Sequence, residues 1–134
     1  LFDLAEHYHQ NPVTGAAIAA RQRIPEHYLN QLLLILRRGG LVRSIRGPRG
    51  GYRLAKPPER ISLAEALRIL EGNLSVKETR EEPSPPSEDS PEAMILHQVW
   101  KEVDQAILEV LENITLDDLC RRKQSYESRL MYYI

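Results

Sequence analysis

The 134 residues leave room for one compact domain and an arm, and 42% apolar with 28% charged residues suits a chain with both a core and a well-solvated surface. No apolar run approaches the ~20 residues needed to cross a bilayer. The single cysteine, Cys120, excludes an internal disulfide and a thiolate zinc site, and it points to a reducing cytosol. The net charge of −1 conceals two halves of opposite sign: residues 1–60 carry 10 Lys and Arg against 4 Asp and Glu, and residues 61–134 carry 8 against 15. A basic half attracts a polyanion while an acidic half holds the rest of the molecule away from it.

The chain starts Leu1-Phe2-Asp3-Leu4, neither a signal peptide nor an initiating Met, so further residues are expected upstream. Leu1 to Gln10 reads as the tail of an amphipathic helix stopped by Asn11-Pro12. Thr14 is placed to cap a short alanine-rich helix, Gly15 to Gln22. Ile24-Pro25 opens a third helix that runs to Arg38, with Gly39-Gly40 as its stop.

On this third helix Leu29, Leu32, Leu33 and Leu36 follow helical spacing and form the core stripe. His27, Asn30, Gln31, Leu34 and Arg38 fall on the other faces. Asn and Gln can bond adenine bidentately, Arg can bond guanine, and an apolar tip suits the thymine methyl, so this face has what a major groove asks for. The alternative is an ordinary solvated helix face.

The following residues favour the groove. Leu41 to Ile45 and Tyr52 to Ala55 read as two strands around the tip Arg46-Gly47-Pro48-Arg49-Gly50-Gly51. A helix-turn-helix followed at once by a basic hairpin is the layout of a winged helix, and Arg37 to Arg60 holds 8 basic residues and one acid. A narrow wing tip with Arg46 and Arg49 can follow the minor groove, where concentrated negative potential favours arginine. The glycines lead from strand to strand rather than into a helix N-terminus, which argues against a small-phosphate cradle.

Ser62-Leu63-Ala64-Glu65 has the pattern of a capping box and opens a helix through about Glu71. Residues 1–71 therefore form a winged helix-turn-helix domain, and residues 72–91 an acidic Pro- and Ser-rich linker. Residues 92–134 hold a long helix followed by a short helix and tail. Along the long helix, 92–113, Leu96, Trp100, Val103, Ile107, Val110 and Ile114 step by four and three, a heptad seam that suits pairing with a second copy. Folding back onto the winged domain is the competing arrangement. Thr115-Leu116-Asp117-Asp118 caps the last short helix, which is expected to end at Arg121-Arg122-Lys123, with the apolar tail Leu130 to Ile134 docked on the domain or on a partner subunit.

No catalytic constellation is present. Ser44 has no spaced His and Asp partners, Asp117 and Asp118 diverge on a helix, and His7 and His9 lack an acidic or thiolate set to complete a metal site. Cys120 has reactive potential if Arg121 and Arg122 lower its pKa, which makes redox sensing an alternative function. A winged helix used only as a protein-interaction module is the other alternative. It calls for an apolar outer face on the third helix; Leu34 leans that way, and Arg37, Arg38, Arg46, Arg49 and Arg53 lean against it.

With these residues set out, the chain resembles the Rrf-two family of bacterial winged-helix regulators over nearly its whole length. The resemblance rests on Tyr28-Leu29 and Gln31, on Gly40-Leu41-Val42, and on the run Ser44-Ile45-Arg46-Gly47-Pro48-Arg49-Gly50-Gly51-Tyr52-Arg53-Leu54. Asn113 to Leu119 also matches the segment after the family's dimerisation helix. It implies a mainly α fold with a small β-hairpin, a homodimer, and sequence-specific binding of double-stranded DNA at a palindromic operator. The DNA-contacting set it implies is His27, Tyr28, Asn30, Gln31, Leu34 and Arg38 on the helix, with Ser44, Arg46, Gly47, Pro48 and Arg49 on the wing.

One branch of the family holds an iron–sulfur cluster through three cysteines, in some members with a histidine. Here Val76 to His97 has no cysteine; Met94 stands near the last cysteine position and His97 is the only matching ligand, so no cofactor is expected. The acidic, cysteine-free linker and the ending Met131-Tyr132-Tyr133-Ile134 resemble the branch that represses cysteine metabolism, which implies a cysteine-synthesis enzyme as co-regulator. Some relatives carry Glu at position 30, which accepts from cytosine, whereas Asn30 suits adenine.

Overall fold

The computed structural model describes residues 1–75 and 90–133. In chain order these form α1 (Phe2–Glu6), α2 (Gly15–Gln22), α3 (Glu26–Arg38), β1 (Val42–Ile45) and β2 (Gly51–Leu54). A 3-10 turn (Pro58–Arg60) then leads to α4 (Leu63–Ser75), α5 (Pro91–Glu112) and α6 (Leu116–Tyr132). The fold is mainly α with one antiparallel hairpin, as expected.

α1 is shorter than the sequence suggests, because beyond Glu6 the His7 ring donates from Nδ1 to the Asp3 carbonyl at 2.7 Å and the chain turns. Thr14 caps α2, its hydroxyl accepting the Ala17 N–H at 3.2 Å. Arg23, in the left-handed region at φ 54°, ends α2 and sets the tight turn into α3.

α3 starts at Glu26 with Pro25 just outside it. Leu29, Leu33 and Leu36 are buried at helical spacing, with Leu32 half-buried beside them. Its C-terminus is a Schellman motif: Leu41 N–H bonds the Leu36 carbonyl at 3.0 Å and Gly40 N–H the Arg37 carbonyl at 3.1 Å. Gly40 takes φ 81°, which a Cβ would strain. The motif delivers Leu41, fully buried, into the core, a contribution of about 2 kcal/mol for one leucine side chain.

In the hairpin Val42 pairs with Leu54, Arg43 with Arg53, Ser44 with Tyr52 and Ile45 with Gly51. The segment before α2 joins this sheet, since Val13 and Tyr52 exchange both backbone hydrogen bonds, at 2.9 and 2.7 Å. Gly51 permits the approach, because a Cβ there would stand 2.5 Å from the Val13 carbonyl oxygen. The wing base is thereby locked to the start of α2.

At the start of α4 only half of the expected capping box forms. Ser62 Oγ accepts from Glu65 N–H at 3.1 Å, but the Glu65 carboxylate turns to Lys56 Nζ at 2.6 Å. α4 continues to Ser75, past the expected end at Glu71, so the first residues assigned to the linker are helical. Residues 76–89 of that linker lie outside the described residues.

α5 spans 22 residues, capped by Ser90, and buries none of its side chains. α6 departs most from expectation: it is 17 residues long rather than a short helix ending at Lys123. The pairs Asp117–Arg121 at 2.8 Å and Lys123–Glu127 at 3.9 Å, each one turn apart, carry the helix through the cationic run. Thr115 and Asp118 form a complete capping box, and the Thr115 N–H holds the Asp118 carboxyl below its ordinary pKa. Leu116 is buried in the same core as Leu4, Ile18, Leu33 and Leu54. Two backbone bonds fix its approach, Leu63 N–H to Ile114 O at 2.8 Å and Leu116 N–H to Ile61 O at 2.9 Å. The last turn of α6 does not dock on the domain of its own chain, with Tyr132 92% exposed.

Candidate nucleic-acid interface

The core stripe of α3 leaves the opposite face to solvent. His27, Tyr28, Asn30, Gln31, Leu34 and Arg38 are all exposed. The start of α2 lies against this face: a Cβ on Gly15 would stand 3.4 Å from Asn30 Oδ1 and 3.7 Å from the Tyr52 ring. Asn30 and the N-terminal end of α2 therefore share one surface, at van der Waals range of each other. Gln31 Nε2 stands 3.3 Å from His27 Nε2 on the neighbouring turn.

The wing tip extends from this surface. Ser44 is exposed in β1, and Arg46, Gly47, Pro48 and Arg49 are exposed between the strands. Gly50 N–H closes the tip on the Gly47 carbonyl at 2.9 Å, and a Cβ on Gly50 would collide with the Ile45 carbonyl. Arg37, Arg38, Arg46 and Arg49 have no ion-pair partner among the described residues, so their charge is open to an external anion.

Two arginines behave differently. Arg21 donates from Nε and Nη2 to both oxygens of Asp3, at 2.9 and 2.8 Å. Arg53 faces away from the core side of the hairpin, donates from Nη2 to the Gln10 carbonyl, and has a buried Nε without a hydrogen-bond partner. The basic ridge read over Arg37 to Arg60 is thus narrower than its cation count, because Arg53 is joined by Arg43, which donates to the Ala55 carbonyl, and by Lys56, which pairs with Glu65.

The α5 seam is open along its length. Leu96, Trp100, Val103, Ile107 and Val110 are exposed, Trp100 at 64%. Ile114 lies beyond the end of α5, half-buried in the turn to α6. Ile95 and Val99 are also exposed and apolar and widen the face beyond the heptad seam, while Met94 and Leu108, exposed as well, lie on other sides of the helix. Ile95 and Val99 stand one turn apart, the spacing that marks them as one flank of that face.

Cys120 is half-buried on α6. Burial raises its pKa first, then Glu6 and Asp117 nearby, while Lys123 pulls slightly the other way. The neighbours Arg121 and Arg122, whose charge would be needed to activate the thiol, do not lower it, and Arg121 pairs with Asp117. This is the environment of a packed thiol rather than a reactive one.

The fold places an exposed polar helix face next to a basic β-hairpin on a helix-turn-helix, which defines a winged-helix DNA-binding regulator. The Rrf2 family model, described as an iron-dependent transcriptional regulator, matches residues 1–122, and the chain belongs to this family. The HTH-type transcriptional regulator CymR of Bacillus subtilis is 34% identical over 134 residues, all of this chain and 91% of that one. Among solved structures, T. potens IscR superposes with a TM-score of 0.74 at 39% identity, over 91% of this chain and 78% of that one. The structure of CymR, the global cysteine regulator of B. subtilis, superposes with a TM-score of 0.71 at 36% identity, over 90% and 87%. These relatives are transcriptional regulators, not enzymes, and the chain is one of them.

The iron in the family description does not fit the donors present. The chain has one cysteine, Cys120, packed on α6, and its four histidines are His7, His9, His27 and His97. Among the described residues no three His, Cys, Asp or Glu side chains gather as metal ligands. His97 is exposed on α5, and an iron–sulfur cluster requires mainly thiolates. Also among the described residues, no helix is long and apolar enough to cross a membrane.

Proposed function

We propose that this regulator is a cytoplasmic homodimer that reads a palindromic operator in double-stranded DNA and represses genes of cysteine and sulfur metabolism. The observation that carries the DNA-reading assignment is the shared surface of α3 and the wing, polar, exposed, and edged by Arg38, Arg46 and Arg49 without acidic partners. α3 lies in the major groove, with Asn30, Gln31 and Leu34 at base edges and His27 and Tyr28 beside them. The N-terminal end of α2 and Arg38 meet phosphates. Ser44, Arg46, Gly47, Pro48 and Arg49 carry the wing along the flanking minor groove.

Dimerisation through α5 is supported by its wide apolar face, which buries nothing within one chain. A two-fold partner covers that face with its own copy and places two α3 helices on successive half-sites. In this reading residues 1–71 are the winged domain and α5 is the dimerisation arm, while α6 returns to the core of the winged domain through Leu116. The cysteine-metabolism assignment is supported by the likeness to the global cysteine regulator. Control by a cysteine-synthesis enzyme belongs to the same reading, with the exposed end of α6, Met131 to Tyr133, open to a partner.

Selection of bound duplexes from a random pool tests this function. A two-fold symmetric consensus is expected, recurring upstream of sulfur-assimilation genes. A pool that stays random, or a consensus without two-fold symmetry, overturns it.

A further inference from the structure

On the outer face of α3, Gln31 and His27 sit one turn apart, with the amide nitrogen of Gln31 at 3.3 Å from Nε2 of the imidazole. Both side chains are exposed, so this contact is presented to whatever lies against the helix. Two nitrogens at this distance share one proton. An amide nitrogen donates and has no acceptor capacity, so Nε2 of His27 accepts and the ring carries its proton on Nδ1.

This assignment limits what Gln31 can offer. One amide N–H is used on His27, which leaves the second N–H and the lone pairs of Oε1. A donor beside an acceptor, in fixed order, matches the major-groove edge of adenine: N6–H donates to Oε1 and N7 accepts from the remaining N–H. A glutamine amide without such a neighbour turns about its broad terminal torsion and offers either order.

Building on the reading of α3 as the base-reading helix, we propose that His27 is a positioning residue that acts through Gln31. It holds the amide in one of two orientations and so makes the base facing Gln31 an adenine. His27 then contributes to sequence preference without touching a base.

The test is duplex selection from a random pool with the full chain and three variants, Gln31→Ala, His27→Ala and His27→Gln. The unaltered chain is expected to prefer adenine at one position of each half-site by about tenfold, within the range of a good bidentate contact. Gln31→Ala and His27→Ala are both expected to reduce that preference to about twofold or less at the same position, with the other positions unchanged. His27→Gln restores most of it, because its carbonyl oxygen can accept the same N–H. Loss at a position that Gln31→Ala leaves intact overturns the proposal and shows that His27 reads a base itself. An unchanged His27→Ala profile, or a uniform loss of affinity across all sequences, also overturns it. If the unaltered chain shows no base preference anywhere, the assignment of α3 falls together with this proposal.

Discussion

Arg21 grips Asp3 through both carboxylate oxygens, at 2.9 and 2.8 Å, and so ties α2 back to α1 across 18 residues of sequence. Asp3 is only 3% exposed, and Gln22 adds a third hydrogen bond at 3.1 Å. The Arg21 hydrogen bonds outweigh burial and hold the Asp3 carboxyl below its ordinary pKa. Asp3→Ala is expected to cost about 2 kcal/mol in urea unfolding, the scale of a buried group losing charge-assisted hydrogen bonds.

The sign of the pH dependence follows from the same shift. A carboxylate with a depressed folded-state pKa contributes its stability above the unfolded value, about 3.9, and loses it as pH falls through the lower folded value. The stability gap between the unaltered chain and Asp3→Asn is therefore expected to be full at pH 6 and to shrink below about pH 4. A gap that widens on acidification contradicts this assignment of the charge.

The proposed function assigns base reading and grip to different residues of this surface. Asn30→Ala is expected to relax preference at one base pair by about 1–3 kcal/mol, with other positions intact. Arg49→Ala should weaken all duplexes alike and reduce the salt slope by about 1. Binding titrations on operator variants at several salt concentrations distinguish the two, and identical behaviour of both variants refutes the division.

Trp100 stands on the exposed face of α5 and touches no core of its own chain. Trp100→Glu is expected to yield a folded monomer in sedimentation velocity, since a buried interface tryptophan is commonly worth 2 kcal/mol or more. Affinity for a two-half-site duplex should fall with it, while helicity of the winged domain persists.

Burial and acidic neighbours raise the Cys120 thiol. Its alkylation at pH 7 is expected to be slower than that of free cysteine, and mild peroxide should leave DNA affinity unchanged. Fast alkylation coupled to release from DNA would restore the redox-sensing alternative.

The contrast between Arg49 and Arg53 shows what the sequence could and could not reveal. The third helix was legible because Leu29, Leu33 and Leu36 repeat at the helical period and leave one face polar. The wing was legible because its glycines and arginines lie between two short apolar runs. Arg53, four residues after Arg49, looks the same in sequence, yet its partner is the Gln10 carbonyl, 43 residues away. Arg21 is diverted by Asp3 in the same manner.

Long-range contacts also explain the misjudged C-terminus. The run Arg121-Arg122-Lys123 looks like a helix end because cations favour that position. In the fold Lys123 instead reaches Glu6, at 2.8 Å, and α6 runs on for more than two further turns. The choice between a packed and a reactive Cys120 also depended on such contacts, because Glu6 approaches it from another helix while Arg121 points to Asp117.

The central claim is that α3 and the wing of a dimer read DNA together, and one measurement addresses it most directly. The affinity of the full chain for its selected two-half-site duplex, and for a scrambled duplex, is followed across salt concentrations. The account predicts a linear fall of log affinity with log salt, of slope near −0.9 for each phosphate neutralised. At physiological salt it predicts a preference for the selected duplex of about a thousandfold or more. Equal affinity for the two duplexes, or no binding to either at low salt, would contradict it.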